Sequence, residues 1–271
     1  MRSVRIVTIN VWGDNREVDR RMRVLMPALA ALEPHVVLLQ EACQVPNGVQ
    51  QAKRVAAVLN AQYRFLPVDD DGPRGAQGNA LVTTLPISST SHLALPSDRG
   101  DRRAALRCDL ETPAGRWAVT TAHLTHELDA ADVREKQAIS LDAFAKADPG
   151  PLPSVLAGDL NCTPDSEVIR FLNGRVSLDG HSTYWRDAYQ RRHPRSDGFT
   201  WSSRNGFSSR SAERDRRIDY ILIGPRRDDG PGSVLHARVV LNLPDAEGVY
   251  PSDHFGVFAE ISLAPRTAQA P

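Results

Sequence analysis

The sequence predicts an α/β fold built as two mixed β-sheets packed face to face, with helices on the outside. Three observations carry this reading. Short β-rich runs outnumber helical stretches along the chain. Two of these runs, Val36 to Leu39 and Ser154 to Ala157, read as strands buried on both faces. Hairpin signals are mixed with helical crossovers, which places sheets against one another and helices outside them. Over 271 residues no repeat, low-complexity tract or Gly/Ser-rich linker divides the chain. Residues 1–263 are therefore predicted as one domain, and Ala264 to Pro271 as a frayed tail.

The elements follow in order. Val4 to Trp12 is a strand with Val4, Ile6 and Thr8 on one face and Arg5, Val7 and Ile9 on the other. Val18, Met22, Leu25, Leu29 and Leu32 recur at helical spacing, and Pro34 lies just past the end. Val36 to Leu39 runs into Gln40-Glu41, and Val49 to Leu59 is a second helix. Tyr63–Val68, Asn79–Thr84, Ala104–Glu111 and Arg116–His123 are strands, the last two joined by a Thr112-Pro113-Ala114-Gly115 turn. Ala130 to Ala147 is a third helix, Ser154–Ala157 a strand and Asp165–Leu172 a short helix. Ile218–Ile223, Val234–Leu243 and Phe255–Leu263 complete the strands.

Composition sets the outer limits. Apolar residues make up 41% and charged residues 24%, the balance of a globular chain and not of a disordered one. No run approaches the apolar length of a membrane span, and the N-terminus reads straight into a strand without a signal core. A cytoplasmic location is the expectation. Cys43, Cys108 and Cys162 form no Cys-x-x-Cys pair, which suits a reducing compartment and argues against a disulfide framework or zinc knuckle. Lys+Arg and Asp+Glu both total 33, so binding driven by overall positive charge is disfavoured, though a locally basic cleft stays open.

Residues capable of chemistry gather where the most apolar strands end, the usual place for function on a rigid scaffold. Asn10 follows Val7-Thr8-Ile9, Gln40-Glu41 follows Val36 to Leu39, and His123 closes the Trp117 strand. Gly158-Asp159-Leu160-Asn161 follows Ser154 to Ala157, Asp219 lies in Arg217-Ile218-Asp219-Tyr220-Ile221, and Ser252-Asp253-His254 precedes the last strand. Singly, each is ordinary strand-end or cap chemistry. Together, in this order, they closely resemble the endonuclease/exonuclease/phosphatase superfamily, from Thr8 to about Ile261. Gly78-Asn79-Ala80-Leu81 with Leu85-Pro86-Ile87, and Phe199-Thr200-Trp201, are similar to further segments of that family.

The resemblance implies a DNase-like four-layer α/β sandwich and divalent-metal-dependent hydrolysis of phosphate esters. It implies Asn10, Glu41 and Asp253 as ligands of a magnesium or manganese ion, oxygen donors being what such hard cations take. It assigns catalysis to His123, Asp159, Asn161, Asp219 and His254. In that scheme Asp219 orients His254, which moves a proton or orients the phosphoryl group, and Asp159 places the water or a second cation. Asn161 and His123 donate to the phosphate or leaving group. The His123-Leu124 pattern departs from abasic-site endonucleases and favours a phosphodiesterase. The alternatives are an endonuclease or exonuclease on DNA or RNA, a phosphomonoesterase, or a non-catalytic binding module on the same fold. The partner is thus a phosphate-ester substrate (nucleic acid, nucleotide, phospholipid head group or inositol phosphate), with no obligatory protein partner evident.

Other features carry less. Trp12 and Trp201 beside the site residues read as core or rim packing. Arg134 and Gln137 read as a structural pair, and Arg103 is a candidate to face phosphate that nothing local marks. Arg204, Arg210, Arg214, Arg216 and Arg217 stand among acids in a loop equally suited to gripping an anion or facing solvent. Loops around residues 69–78, 96–103 and 202–216 carry no substrate signature.

Overall fold

Alternation along the first strand decides the architecture. In β1 (Ser3–Asn10), Val4 and Ile6 point to one side, Val7 and Ile9 to the other, and all four are fully buried. A strand dry on both faces needs a second sheet over one and helices over the other. Both are present in the computed structural model, which describes residues 1–46, 48, 50–70, 75–98, 100–209, 213–225 and 230–263. The tail expected at 264–271 and the helix start expected at Val49 lie outside the described residues, as do 71–74, 99 and 210–212 of the variable loops.

The first sheet has six strands. β1 runs parallel to β2 (Val36–Gln44), which pairs with β4 (Ala76–Thr83) and through it β3 (Gln62–Asp70). On its other side β1 pairs antiparallel with β12 (Gly256–Ser262), followed by β11 (Val234–Val240). The second sheet, also six-stranded, runs β5 (Ile87–Leu95), β6 (Arg103–Thr112), β7 (Gly115–His123), β8 (Val155–Asp159), β10 (Asp219–Ile223) and β9 (Arg186–Asp187). Val4, Ile6 and Leu38 meet Trp117, Val119 and Ala157 between the sheets. Helices α1 (Val18–Ala30) and α2 (Gln51–Leu59) cover the first sheet with Met22, Leu25 and Val55. α3 (Ala131–Lys146) and α4 (Glu167–Leu172) cover the second with Leu141, Ile169 and Phe171. The helix–sheet–sheet–helix sandwich is as the sequence predicts.

Three elements were not expected. β5 is an exposed edge strand whose Ser88-Ser89-Thr90-Ser91-His92 core has no apolar alternation to announce it. β9 with α5 (Ala188–Arg192) is too short for any period, and forms because the Asp187 side chain caps the helix by accepting from Gln190 N at 3.1 Å. Among the described residues no helix is long and apolar enough to cross a membrane.

Each sheet has one parallel pair near its centre, β1 with β2 and β7 with β8. Parallel partners end on the same side, so Asn10 leaves level with Gln40, and His123 level with Asp159. β10 begins there too, with Asp219 opposite Asp159, and β12 starts beside the exit of β1. Topology alone thus gathers every candidate segment at one end of the sandwich.

Gly158 makes one close approach possible. Its φ is +145°, and a Cβ would meet the Ala122 carbonyl oxygen at 2.0 Å. Gly158→Ala is expected to destabilise the fold by about 3 kcal/mol or more, read from urea unfolding.

Candidate active site

Glu41 owes its position to a break in strand register. Pairing of β2 with β4 shifts between Leu39 and Ala42, and Glu41 takes a left-handed φ of +54°. Such a bulge re-aims a side chain, here into the cleft at the strand ends. Gln40 just before it stays between the sheets, its Nε2 donating to Thr121 Oγ1 at 2.9 Å and Thr8 Oγ1 at 3.1 Å. That cross-sheet bond fixes the two strand ends relative to one another.

The cleft has a volume of about 210 Å³, and Glu41, His123, Asp159, Asn161, Asp253 and His254 all line it. Asn10 lies behind them, donating from Nδ2 to Glu41 Oε1 at 2.9 Å and to Asp159 Oδ2 at 3.1 Å. Its Oδ1 accepts from Trp12 N at 2.9 Å. In this orientation Asn10 holds the two carboxylates together. Asp219 Oδ2 lies 3.0 Å from His254 Nδ1, which leaves Nε2 turned towards Asp159 at 3.7 Å. Thr200 Oγ1 accepts from the backbone N of Ile218 and Asp219 and so seats that carboxylate. Asn161 adopts a left-handed φ of +48°; its N donates to Asp159 Oδ1 at 3.0 Å and its Nδ2 to Leu124 O at 3.1 Å. One Nδ2 proton stays free to donate into the cleft. All eight sequence-predicted residues therefore come together, from segments far apart in the chain.

The electrostatics follow from putting so much charge out of water. Burial, then the neighbouring charge of Asp219, pushes the Asp159 carboxyl up to about 7. Burial, with the Glu41 charge adding to it, pushes Asp253 up to about 6. Burial also opposes the His254 imidazolium, but Asp219 and Asp159 outweigh it and hold its pKa well above the ordinary histidine value. His123 goes the other way: burial, then the Arg103 guanidinium and His254, press it well below. Two histidines in one cleft are thereby driven in opposite directions, His254 towards a stronger base and His123 towards a weaker one.

Further residues support the cleft, and Gln77, Asn205 and Arg21 among them carry no signal in the sequence. Arg103 Nη1 lies 3.0 and 3.1 Å from the two ring nitrogens of His123, and its Nε donates to Asp101 Oδ2 at 2.9 Å. Gln77 Nε2 donates to Glu41 Oε2 at 3.1 Å. Asn205 Nδ2 donates to the Ser252 and Asp253 carbonyls, fixing the turn before His254. Trp12 packs against Phe207 with ring centroids 5.0 Å apart, and Trp201 sets its edge to His254 at 5.0 Å, so both tryptophans rim the cleft. Arg134 and Gln137 are structural as expected, bonding the backbone of the loop after β7. Arg217 is buried in an ion pair with Asp187, and Arg210 lies outside the described residues.

Arg21 is the least legible of these. It is 1% exposed on α1 and donates to the carbonyls of Val11 at 2.7 Å, Gly13 at 2.9 Å, Asn15 at 2.6 Å and Arg16 at 2.9 Å. It thus moulds the loop that leaves Asn10 and carries Trp12. A lysine cannot reach so many acceptors, and each stranded buried carbonyl costs roughly 1–3 kcal/mol. Arg21→Lys is accordingly expected to lower the urea midpoint strongly and to loosen the Trp12 rim, seen as a shift in tryptophan fluorescence.

The donor set suits a hard divalent cation. Glu41, Asp159, Asp219 and Asp253 crowd carboxylates into one buried place, and burial, with a neighbouring like charge adding to it, forces two of them up in pKa. Among the described residues Asp219 Oδ1 is buried without a hydrogen-bond partner. Among the described residues, Asp159, Asp219 and His254 bring possible ligand atoms within 4.8 Å of one another. The Asp219–His254 bond already engages that trio. Glu41 and Asp253 face the same cleft.

Residues 7–254 match the profile described as the Endonuclease/Exonuclease/phosphatase family. The chain belongs to that family. Members are divalent-metal-dependent phosphohydrolases, in keeping with the carboxylate-rich cleft. Among solved structures, a humanized D. rerio TDP2 carrying 14 mutations is similar at 24% identity and a TM-score of 0.75, over 96% of this chain and 99% of that one. D. rerio TDP2 complexed with single strand DNA product is similar at 22% identity and 0.75, with the same coverage. The human Nocturnin catalytic domain with bound sulfate anion is similar at 18% identity and 0.69, over 97% and 95%. At these identities the likeness establishes the fold. No curated protein sequence matches the chain.

Proposed function

We propose that this family member is a phosphodiesterase that works with magnesium or manganese. The observation that carries the reading is the convergence of Asn10, Glu41, His123, Asp159, Asn161, Asp219, Asp253 and His254 at one end of the two sheets. Glu41 and Asp253 would hold the cation, with Asn10 bonded to Glu41 in the same cluster. When bound, it supplies positive charge that polarises a phosphoryl oxygen and eases departure of the leaving oxygen.

The chain's own groups do the rest. A phosphodiester is anionic and repels an incoming hydroxide, so the attacking water must lose its proton as it attacks. His254 Nε2 faces the cleft while Nδ1 is bonded to Asp219, an arrangement that fixes the ring and strengthens it as a proton acceptor. Asp159, protonatable near neutrality and 3.7 Å from His254, positions the water. Asn161 donates its free amide N–H to a phosphoryl oxygen. His123 is held neutral by burial and by Arg103, so it donates a hydrogen bond to the phosphate or leaving group without bringing a charge.

A nuclease acting on a DNA or RNA strand is the narrower form of this reading. The D. rerio TDP2 complex with single strand DNA product supports testing it first. Buried, free Cys43, Cys108 and Cys162 suit the reducing, cytoplasmic setting we assign. Hydrolysis of bis(p-nitrophenyl) phosphate, against p-nitrophenyl phosphate as the monoester, tests the proposal. Preference for the diester supports it; turnover of the monoester alone, or of neither, overturns it.

A further inference from the structure

We propose that Arg216 binds a second phosphate of the substrate, next to the one that is cleaved, and so selects substrates that carry a phosphate chain. The inference rests on the phosphodiesterase reading and names a specificity residue for it. Arg216 is common to the walls of three adjoining hollows. One is the catalytic cleft itself. A second, of about 280 Å³, opens past Asn161 towards Leu128 and Ser166. The third, of about 460 Å³, opens past Thr163 towards Arg195 and Phe199. A substrate leaving the cleft on the Asn161 side therefore passes the Arg216 guanidinium.

The backbone fixes its distance from the chemistry. Arg216 N donates to Trp201 O at 2.8 Å and Trp201 N to Arg216 O at 2.9 Å, while Trp201 bridges on its other side to His254. Arg216 is thus two strand spacings from His254, about 10 Å between backbones. From there a long side chain can serve the neighbouring phosphate but not replace the catalytic groups. Within the guanidinium, Nη2 pairs with Glu213, three residues earlier and partly exposed, while Nε is buried without a partner among the described residues. Arginine presents its donors as a planar fork that matches a phosphate. Arg217, next in sequence, is buried against Asp187 and has no such freedom.

The test compares thymidine 5′-(p-nitrophenyl phosphate) with the same diester carrying an added 3′-phosphate, and thymidine 3′-(p-nitrophenyl phosphate) with its 5′-phosphorylated form. Each pair shares one leaving group, so the ratio of kcat/KM within a pair cancels any general loss of fold or activity. Wild type is expected to prefer the added phosphate in one pair by about tenfold or more, as a charge-assisted contact implies. Arg216→Ala and Arg216→Gln should bring that ratio close to one, and Arg216→Lys should restore part of it. A wild-type ratio near one in both pairs, or a ratio unchanged in Arg216→Ala, overturns the inference while leaving the phosphodiesterase reading intact. No turnover of any of the four diesters by wild type overturns both.

Discussion

His254→Ala is expected to lower kcat/KM for bis(p-nitrophenyl) phosphate by about 10²- to 10⁴-fold, the range of a lost general acid or base. The reason is local. Nε2 of His254 is backed by a buried carboxylate, through the 3.0 Å contact of Nδ1 with Asp219. Asp219→Asn should lose a large part of the same factor, because an amide neither fixes the tautomer nor sustains the raised basicity. The double variant is expected to be little worse than His254→Ala alone, since groups acting as a unit do not add. Steady-state kinetics on the four proteins checks this. Independent, multiplying losses would separate Asp219 from His254 and break the proposed pair.

Glu41→Gln is expected to lower turnover by about 10²- to 10³-fold, the scale of removing one preorganised electrostatic group, and to need more magnesium or manganese for what remains. Stability should move the other way. In cation-free buffer the Glu41 charge helps force Asp253 up to about 6, so neutralising Glu41 relieves a repulsion that the fold otherwise carries. The amide keeps the length of the side chain, and the Gln77 amide can turn to suit it. Glu41→Gln should therefore unfold at the same temperature as wild type or higher without cation, and gain less when the cation is added. A residue whose removal costs activity yet relieves the fold is one kept for function.

The site was more legible in the sequence than its supports were. Asn10, His123, Asp159 and Asp219 each end or begin a strand whose apolar run is plain, so their shared end of the molecule follows from parallel and antiparallel pairing. The strand lengths were harder. β2 continues past Leu39 to Gln44 because a bulge lets pairing resume after Glu41, and no residue pattern announces a bulge at a glutamate. β5 was missed because its exposed polar side chains carry no period; only pairing with β6 makes it a strand. Gln51 and Asn205 were missed for a different reason. Each bonds mostly to backbone carbonyls of loops distant in sequence, Gln51 reaching Gly13 O at 2.9 Å and Asn205 reaching Ser252 O at 2.8 Å. Such bonds exist only after the chain has folded, so a sequence holds no local trace of them.

Dependence on a divalent cation is the most direct measure of how this cleft works. Protein stripped with EDTA and passed into chelator-free buffer should be inactive on bis(p-nitrophenyl) phosphate, and added magnesium or manganese should restore turnover along a saturating curve. The same titration of Glu41→Gln should be displaced to higher cation concentration with a lower plateau. Full hydrolysis by wild type in EDTA, or a Glu41→Gln curve that overlays it, would contradict the assignment of Glu41 and its neighbours to a cation-assisted phosphodiesterase.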